Sequence, residues 1–169
     1  GVGGYPIIHE FNPPFSINDN SVSEYFNYKF GWFPKELDEM YKWHNGQSFP
    51  VPVRDLYFIF DNAIFLPFDQ AKIYSEAAVD YDSIFQDYFV LFTSGGGEDY
   101  LIKMKGNDRG SIWYCSPAKF LGEPVKAFDS LEKLVSSVIE CYNSGVYMNE
   151  KGHFRIDFPK QMRRMAELN

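Results

Sequence analysis

The sequence predicts a single α+β domain, an antiparallel multi-stranded sheet packed with helices from the N- and C-terminal parts. Three observations carry this reading. A chain of 169 residues suits one domain with a substantial core. Helical periodicity marks residues 21–46 and 128–142, near the two ends. Between them lie short aromatic-rich runs separated by turn formers, which suit strands. With 17 Phe and 12 Tyr, the core needs no disulfide or metal to hold it.

The elements follow in order. Residues 1–20, rich in Gly, Pro and Asn, read as an irregular N-terminal arm. Ser21-Val-Ser-Glu24 has the form of a capping box, and a short helix runs from it to Gly31. Pro34 suits a first helical residue; Leu37, Met40, Tyr41 and His44 then share one face, and Asn45-Gly46 ends the helix. Runs 55–60 and 63–68 read as strands around an Asp61-Asn62 turn. Residues 69–82 read as helix, and 88–92, 99–104 and 110–115 as three further strands. Asp129 or Ser130 caps a closing helix. Its residues Leu131, Leu134, Val135, Val138, Ile139 and Tyr142 form a continuous apolar stripe. The expected domain is 21–148, followed by a basic tail, 149–169, in which Phe154-Arg-Ile-Asp-Phe158 alternates as an extended segment would.

Charge narrows the function classes. The net charge is −7, but residues 151–169 carry +3, leaving the rest at −10. Such a body repels nucleic acid and favours basic protein partners. Cys115 and Cys141 sit in no metal or redox motif and read as buried thiols of a reducing, cytoplasmic protein. No membrane span is expected, and the first residues lack the charge and apolar pattern of a signal peptide.

Candidate chemistry is sparse. Gly95-Gly96-Gly97 is followed by Glu98-Asp99 and a strand, where a phosphate loop needs Lys-Ser/Thr and a helix. A tight turn, with glycine supplying positive φ, is the better reading. Glu98 and Asp99 are strand neighbours and should point to opposite faces, so they should not converge as an acid/base pair. His9, His44 and His153 have no ligand spacing; His44, in the last turn of a helix, suits capping or packing. No catalytic residue, cofactor site or metal site is expected. Residues 76–88 are more suggestive. Glu76, Asp80, Asp82 and Asp87 interleave with Tyr81, Phe85 and Tyr88, with no Lys or Arg. Acids that steer and aromatics that anchor suit a surface for a basic protein. The candidate partner-binding residues are Glu76, Asp80, Tyr81, Asp82, Asp87, Tyr88, Glu98 and Asp99.

FPKELDEMYKWHNG (33–46), with its Pro, short helix and Asn-Gly, resembles the opening signature of the SUKH superfamily. FVLFTSGGGEDYLIKMKGNDRGSIWYCSP (89–117) is similar to its second signature, and FDSLEKLVSSVIE (128–140) to its final helix. The resemblance spans roughly Ser21 to Met148. Lys103 departs from it, standing where the family often has an acid, and the arm and basic tail have no counterpart.

This resemblance implies a largely non-catalytic family. It includes bacterial immunity proteins that bind polymorphic or contact-dependent toxins, often nucleases or deaminases, and a fungal regulator of cell-wall glucan synthesis. The expectation is a cytoplasmic immunity protein that occludes a basic toxin domain encoded nearby. It would bind neither nucleic acid nor membrane and need no cofactor. A regulatory scaffold and, further off, a hydrolase built on the acids near Gly95–Asp99 are the alternatives.

Overall fold

A computed structural model describes residues 11–15, 20–47, 63–94, 96–116, 123–150, 153–160 and 163. It has the expected α+β architecture. Helices α1 (Ser21–Phe30) and α2 (Lys35–Trp43) come first, then strand β1 (Ile64–Phe65), α3 (Phe68–Tyr81) and a 3-10 helix, Ser83–Asp87. Strands β2 (Tyr88–Thr93), β3 (Asp99–Lys103), β4 (Ile112–Cys115) and β5 (Val125–Phe128) follow. Helix α4 (Leu131–Asn143) leads to a hairpin of β6 (Tyr147–Glu150) and β7 (His153–Ile156). The main sheet has the antiparallel order β1-β2-β3-β4-β5.

The sheet is held by aromatic packing. Phe89 of β2 meets Phe26 of α1 at 4.7 Å between ring centroids, and Phe26 stacks on Phe33 at 5.7 Å. Tyr41 of α2 packs on Phe65 at 5.0 Å, and Phe65 on Phe92 at 5.5 Å. Phe26, Leu37, Tyr41, Phe65, Leu66, Phe89 and Leu91 are all fully buried. Full burial of such a side chain contributes about 1.5–3 kcal/mol each. The short β1 leaves part of the β2 edge unpaired, and α3 covers it. Ser75 Oγ accepts from Val90 N at 2.8 Å while donating to Ala71 O at 2.7 Å.

Several local expectations change. The segment 55–60 and the Asp61-Asn62 turn lie outside the described residues. The strand expected over 63–68 shrinks to Ile64–Phe65, because Pro67 has no N–H for a ladder and Phe68 already opens α3. The capping box at Ser21 does not form. Asn20 precedes α1 instead, its carbonyl accepting from Glu24 N at 2.8 Å and Ser23 Oγ at 2.9 Å. Pro34 sits one position before α2, its carbonyl taking the Leu37 amide at 3.1 Å. On α4, Ser130 is the cap, accepting from Lys133 N at 3.1 Å.

The stripe on α4 is not wholly core. Leu131, Leu134 and Tyr142 are buried, but Val135 and Ile139 are 39% and 50% exposed. Strand β5 and the 3-10 helix lack a clear periodic signal in the sequence. At the C-terminal end, Ile156 packs against the core and Asp157 N donates to Val146 O at 2.9 Å. Strand β7 stops there, and Phe158 begins a helical turn with its ring exposed, so the expected extended alternation does not reach it.

Candidate protein-binding surfaces

The segment 76–88 is the end of α3, the 3-10 helix and the start of β2. Helical spacing places Ile73, Glu76 and Asp80 on the outer face of α3, all exposed. Tyr81, at the last residue of the helix, is 85% exposed. Asp82 is exposed and caps the next element, its Oδ1 accepting from Ile84 N at 2.9 Å. Ile84 is exposed beside it. Asp87 is half-exposed and 3.6 Å from Lys105 Nζ. The two remaining aromatics go inward. Phe85 is buried, and Tyr88, expected as a partner anchor, is only 9% exposed. Tyr88 opens β2, where strand alternation turns its ring edge-on to Trp113 at 5.7 Å. It therefore belongs to the core. Lys103, the departure from the family pattern, lies over the Trp113 ring at 4.6 Å, a cation–π contact that an acid would not make.

Glu98 and Asp99 separate as strand alternation requires. Glu98 Oε1 accepts from the Tyr114 hydroxyl at 2.9 Å. Asp99 pairs in register with Thr93 and Cys115. Burial pushes the Asp99 carboxyl above its ordinary value; a hydrogen bond from Thr93 opposes this, and the nearby Glu98 charge adds to it. Its Oδ1 is buried without a hydrogen-bond partner among the described residues. Asp99 is thus tied into the sheet, and the exposed acidic surface expected to include it ends without it.

The glycine turn is pinned from within. Ser94 Oγ accepts from Gly96 N at 3.1 Å and Glu98 N at 3.3 Å, and Ser94 N donates to Glu98 O at 2.9 Å. Gly97 has φ 91°, whereas Gly96 is not in the left-handed region, so the need for positive φ falls on Gly97. Gly95 lies outside the described residues.

His44 packs as expected. Its Nδ1–H donates to Asn12 O at 3.0 Å, and its ring lies against Phe11 and Trp43. Cys115 and Cys141 are buried and unbridged. Among the described residues no His, Cys, Asp and Glu group is placed to hold a metal ion. No helix among them is long and apolar enough to cross a membrane.

The second exposed apolar feature lies between α2 and α4. Met40 and the 55%-exposed Trp43 form one wall, Leu131 and Val135 the other, around a groove of ≈ 330 Å³. Glu36, Glu39, Glu132 and Ser136 complete the lining. Ile139, one turn beyond Val135, extends the apolar strip.

A sequence model of the SMI1 / KNR4 family (SUKH-1) matches residues 22–137, more than half of the chain. The chain belongs to that family. No curated protein matches it. The SUKH-1 match runs from α1 through the first half of α4, so the acidic end of α3, the glycine turn and the α2–α4 groove all lie within it. The β6–β7 hairpin lies outside the SUKH-1 match. Within it, the Asn-Gly signature does not end α2 as expected: the helix stops at Trp43, and His44 leaves it in extended conformation. Asn45 Oδ1 accepts from Phe68 N at 2.9 Å, capping α3 from a distance, and Gly46 packs its backbone against Leu66 and Pro67.

Proposed function

We propose that this SUKH-1 domain is a non-catalytic protein-binding module, an immunity protein that neutralises a basic toxin domain by stoichiometric occlusion. The observation that carries the reading is the outer surface of α3 and the 3-10 helix. Glu76, Asp80 and Asp82 are exposed there beside Ile73, Tyr81 and Ile84, which combines steering charge with apolar contact area. Family membership supports protein binding in general. The glycine-turn amides already committed to Ser94, and the separated carboxyls of Glu98 and Asp99, favour binding over hydrolysis. Two unbridged buried thiols suit a cytoplasmic setting.

The test is co-expression with the candidate toxin domain encoded beside this chain. Rescue of growth together with a one-to-one complex on gel filtration supports the proposal. A toxin domain that kills in the presence of the chain and does not co-purify refutes it. Complex formation with a non-toxic cellular protein, and no toxin beside the gene, points to a regulatory scaffold.

A further inference from the structure

The α2–α4 groove is a concave apolar seam between two helices. Core helices normally turn apolar flanks toward a neighbour, yet Trp43, Val135 and Ile139 stand 55%, 39% and 50% exposed along one seam. Met40 and Leu131 add apolar lining to the two walls. The polar residues that line the groove are Glu36, Glu39 and Glu132 with Ser136, and no Lys or Arg is among the lining residues. Lys35 pairs with Glu39 at 3.4 Å, but both side chains are exposed, so a desolvating partner displaces that contact at small cost. Lys42 is held by Asp38 at 2.7 Å.

An apolar lining with a carboxylate rim specifies its occupant by charge complementarity. A second acidic surface would be repelled, and a wholly apolar one would leave three carboxylates facing it. We infer that this groove docks a basic amphipathic segment of a partner protein, whose apolar side chains seat between Trp43 and Val135 while its Lys or Arg side chains meet Glu36, Glu39 and Glu132. The inference rests on the protein-binding reading above and deepens it by adding an anchoring site to the steering acids of α3. A helix presenting apolar residues at i, i+3, i+4 and i+7 fits the seam between two helices.

The probe is a short amphipathic Leu/Lys peptide helix, with a Leu/Glu peptide of the same pattern as its control. The full chain is labelled with 5-fluorotryptophan, giving one fluorine signal each for Trp32, Trp43 and Trp113. The expected result is a saturable shift of the Trp43 signal with the Leu/Lys peptide and none with the Leu/Glu peptide. Val135→Asp, and separately the triple change Glu36→Lys, Glu39→Lys, Glu132→Lys, should each weaken the Leu/Lys peptide by about tenfold or more. Glu24→Lys, exposed on α1, should leave it within about twofold.

An unmoved Trp43 signal overturns the inference, as does equal binding of both peptides. So does peptide binding that survives both groove variants but is lost on reversing Glu76 and Asp80. A Trp43 shift that follows protein concentration without peptide, with a dimer in sedimentation, assigns the groove to a second copy and also overturns it. These outcomes separate from failure of the proposed function. A toxin complex indifferent to Val135→Asp sinks the groove alone, whereas a peptide-binding groove in a chain that neutralises no toxin sinks the immunity reading alone.

Discussion

Replacing Gly46 by alanine tests how the family's Asn-Gly signature works. Gly46 has φ +69°, and a Cβ built there would lie 2.2 Å from Pro67 N, 2.4 Å from Leu66 C and 2.6 Å from Pro67 Cα. All three are backbone atoms at the entrance to α3, so no side chain can swing aside. Two costs add. The left-handed backbone costs a non-glycine residue about 1–2 kcal/mol, and forcing the β1–α3 junction away costs about 1–3 kcal/mol more. The expected loss is about 2–5 kcal/mol. For a chain of this size that lowers the melting temperature by roughly 4–20 °C.

Gly31→Ala is the internal control. Gly31 has nearly the same φ, +67°, but nothing lies within 4 Å of the added Cβ. It should lose only the conformational part, about 1–2 kcal/mol. Urea denaturation of the three proteins gives the comparison at constant slope. If Gly46→Ala costs no more than Gly31→Ala, the close approach of Gly46 to Leu66 and Pro67 is not what the signature preserves, and the reasoning fails.

Further changes probe the other elements. Tyr88→Ala should cost about 3–5 kcal/mol by emptying a core position against Trp113, whereas Tyr81→Ala should leave melting unchanged and instead speed dissociation of the partner; comparing thermal melts with surface-binding kinetics shows whether the two tyrosines divide in this way. Ser130→Ala removes the acceptor of the Lys133 amide and should cost about 1 kcal/mol in chemical denaturation, while an unchanged midpoint would mean that water replaces the cap freely. Burial raises the Asp99 carboxyl, so between the ordinary carboxylate value of roughly 3.9 and its folded value the native state holds a proton that the unfolded chain has released. Its contribution to stability is therefore largest below that window and is lost as pH rises through it. Asp99→Asn should melt above the wild type at neutral pH, with the gap closing below about pH 4; a gap independent of pH would assign the effect to packing.

Much of the architecture was legible because local and tertiary demands agree. The α4 cap at Ser130, the α2 face of Leu37 and Tyr41, and strands β2 to β4 all combine the right period with the right punctuation. Expectation and structure part where a partner outside the local pattern decides. Ser21 and Glu24 have the letters of a capping box, but the Asn20 carbonyl is one position earlier and takes the Glu24 amide. Residues 63–66 carry an apolar run that suits a strand, yet Pro67 ends the ladder and Phe68 joins a helix whose first amide is accepted by Asn45, 23 positions away. Strand β5, VKAF, has a single turn's worth of pattern and is a strand because it pairs with β4.

The candidate surfaces were less legible, for a reason that lies in apolarity itself. A sequence shows that a side chain is apolar but not which of two neighbours will cover it. In the acidic segment, Tyr81 and Tyr88 look alike beside Asp80 and Asp87, and only the step from helix end to strand start sends one ring out and the other in. On α4, Leu131, Leu134, Val138 and Tyr142 already satisfy one face, and Val135 and Ile139 widen the apolar arc beyond what that face needs. That excess width was the available signal. On α2 the corresponding sign is Met40 and Trp43, displaced to one side of the Leu37–Tyr41 face and flanked by Glu36 and Glu39. Two helices with surplus apolar flanks make a groove only if they pack side by side, and the contact between α2 and α4 supplies that condition. The acids around that seam are what the inferred basic occupant would meet.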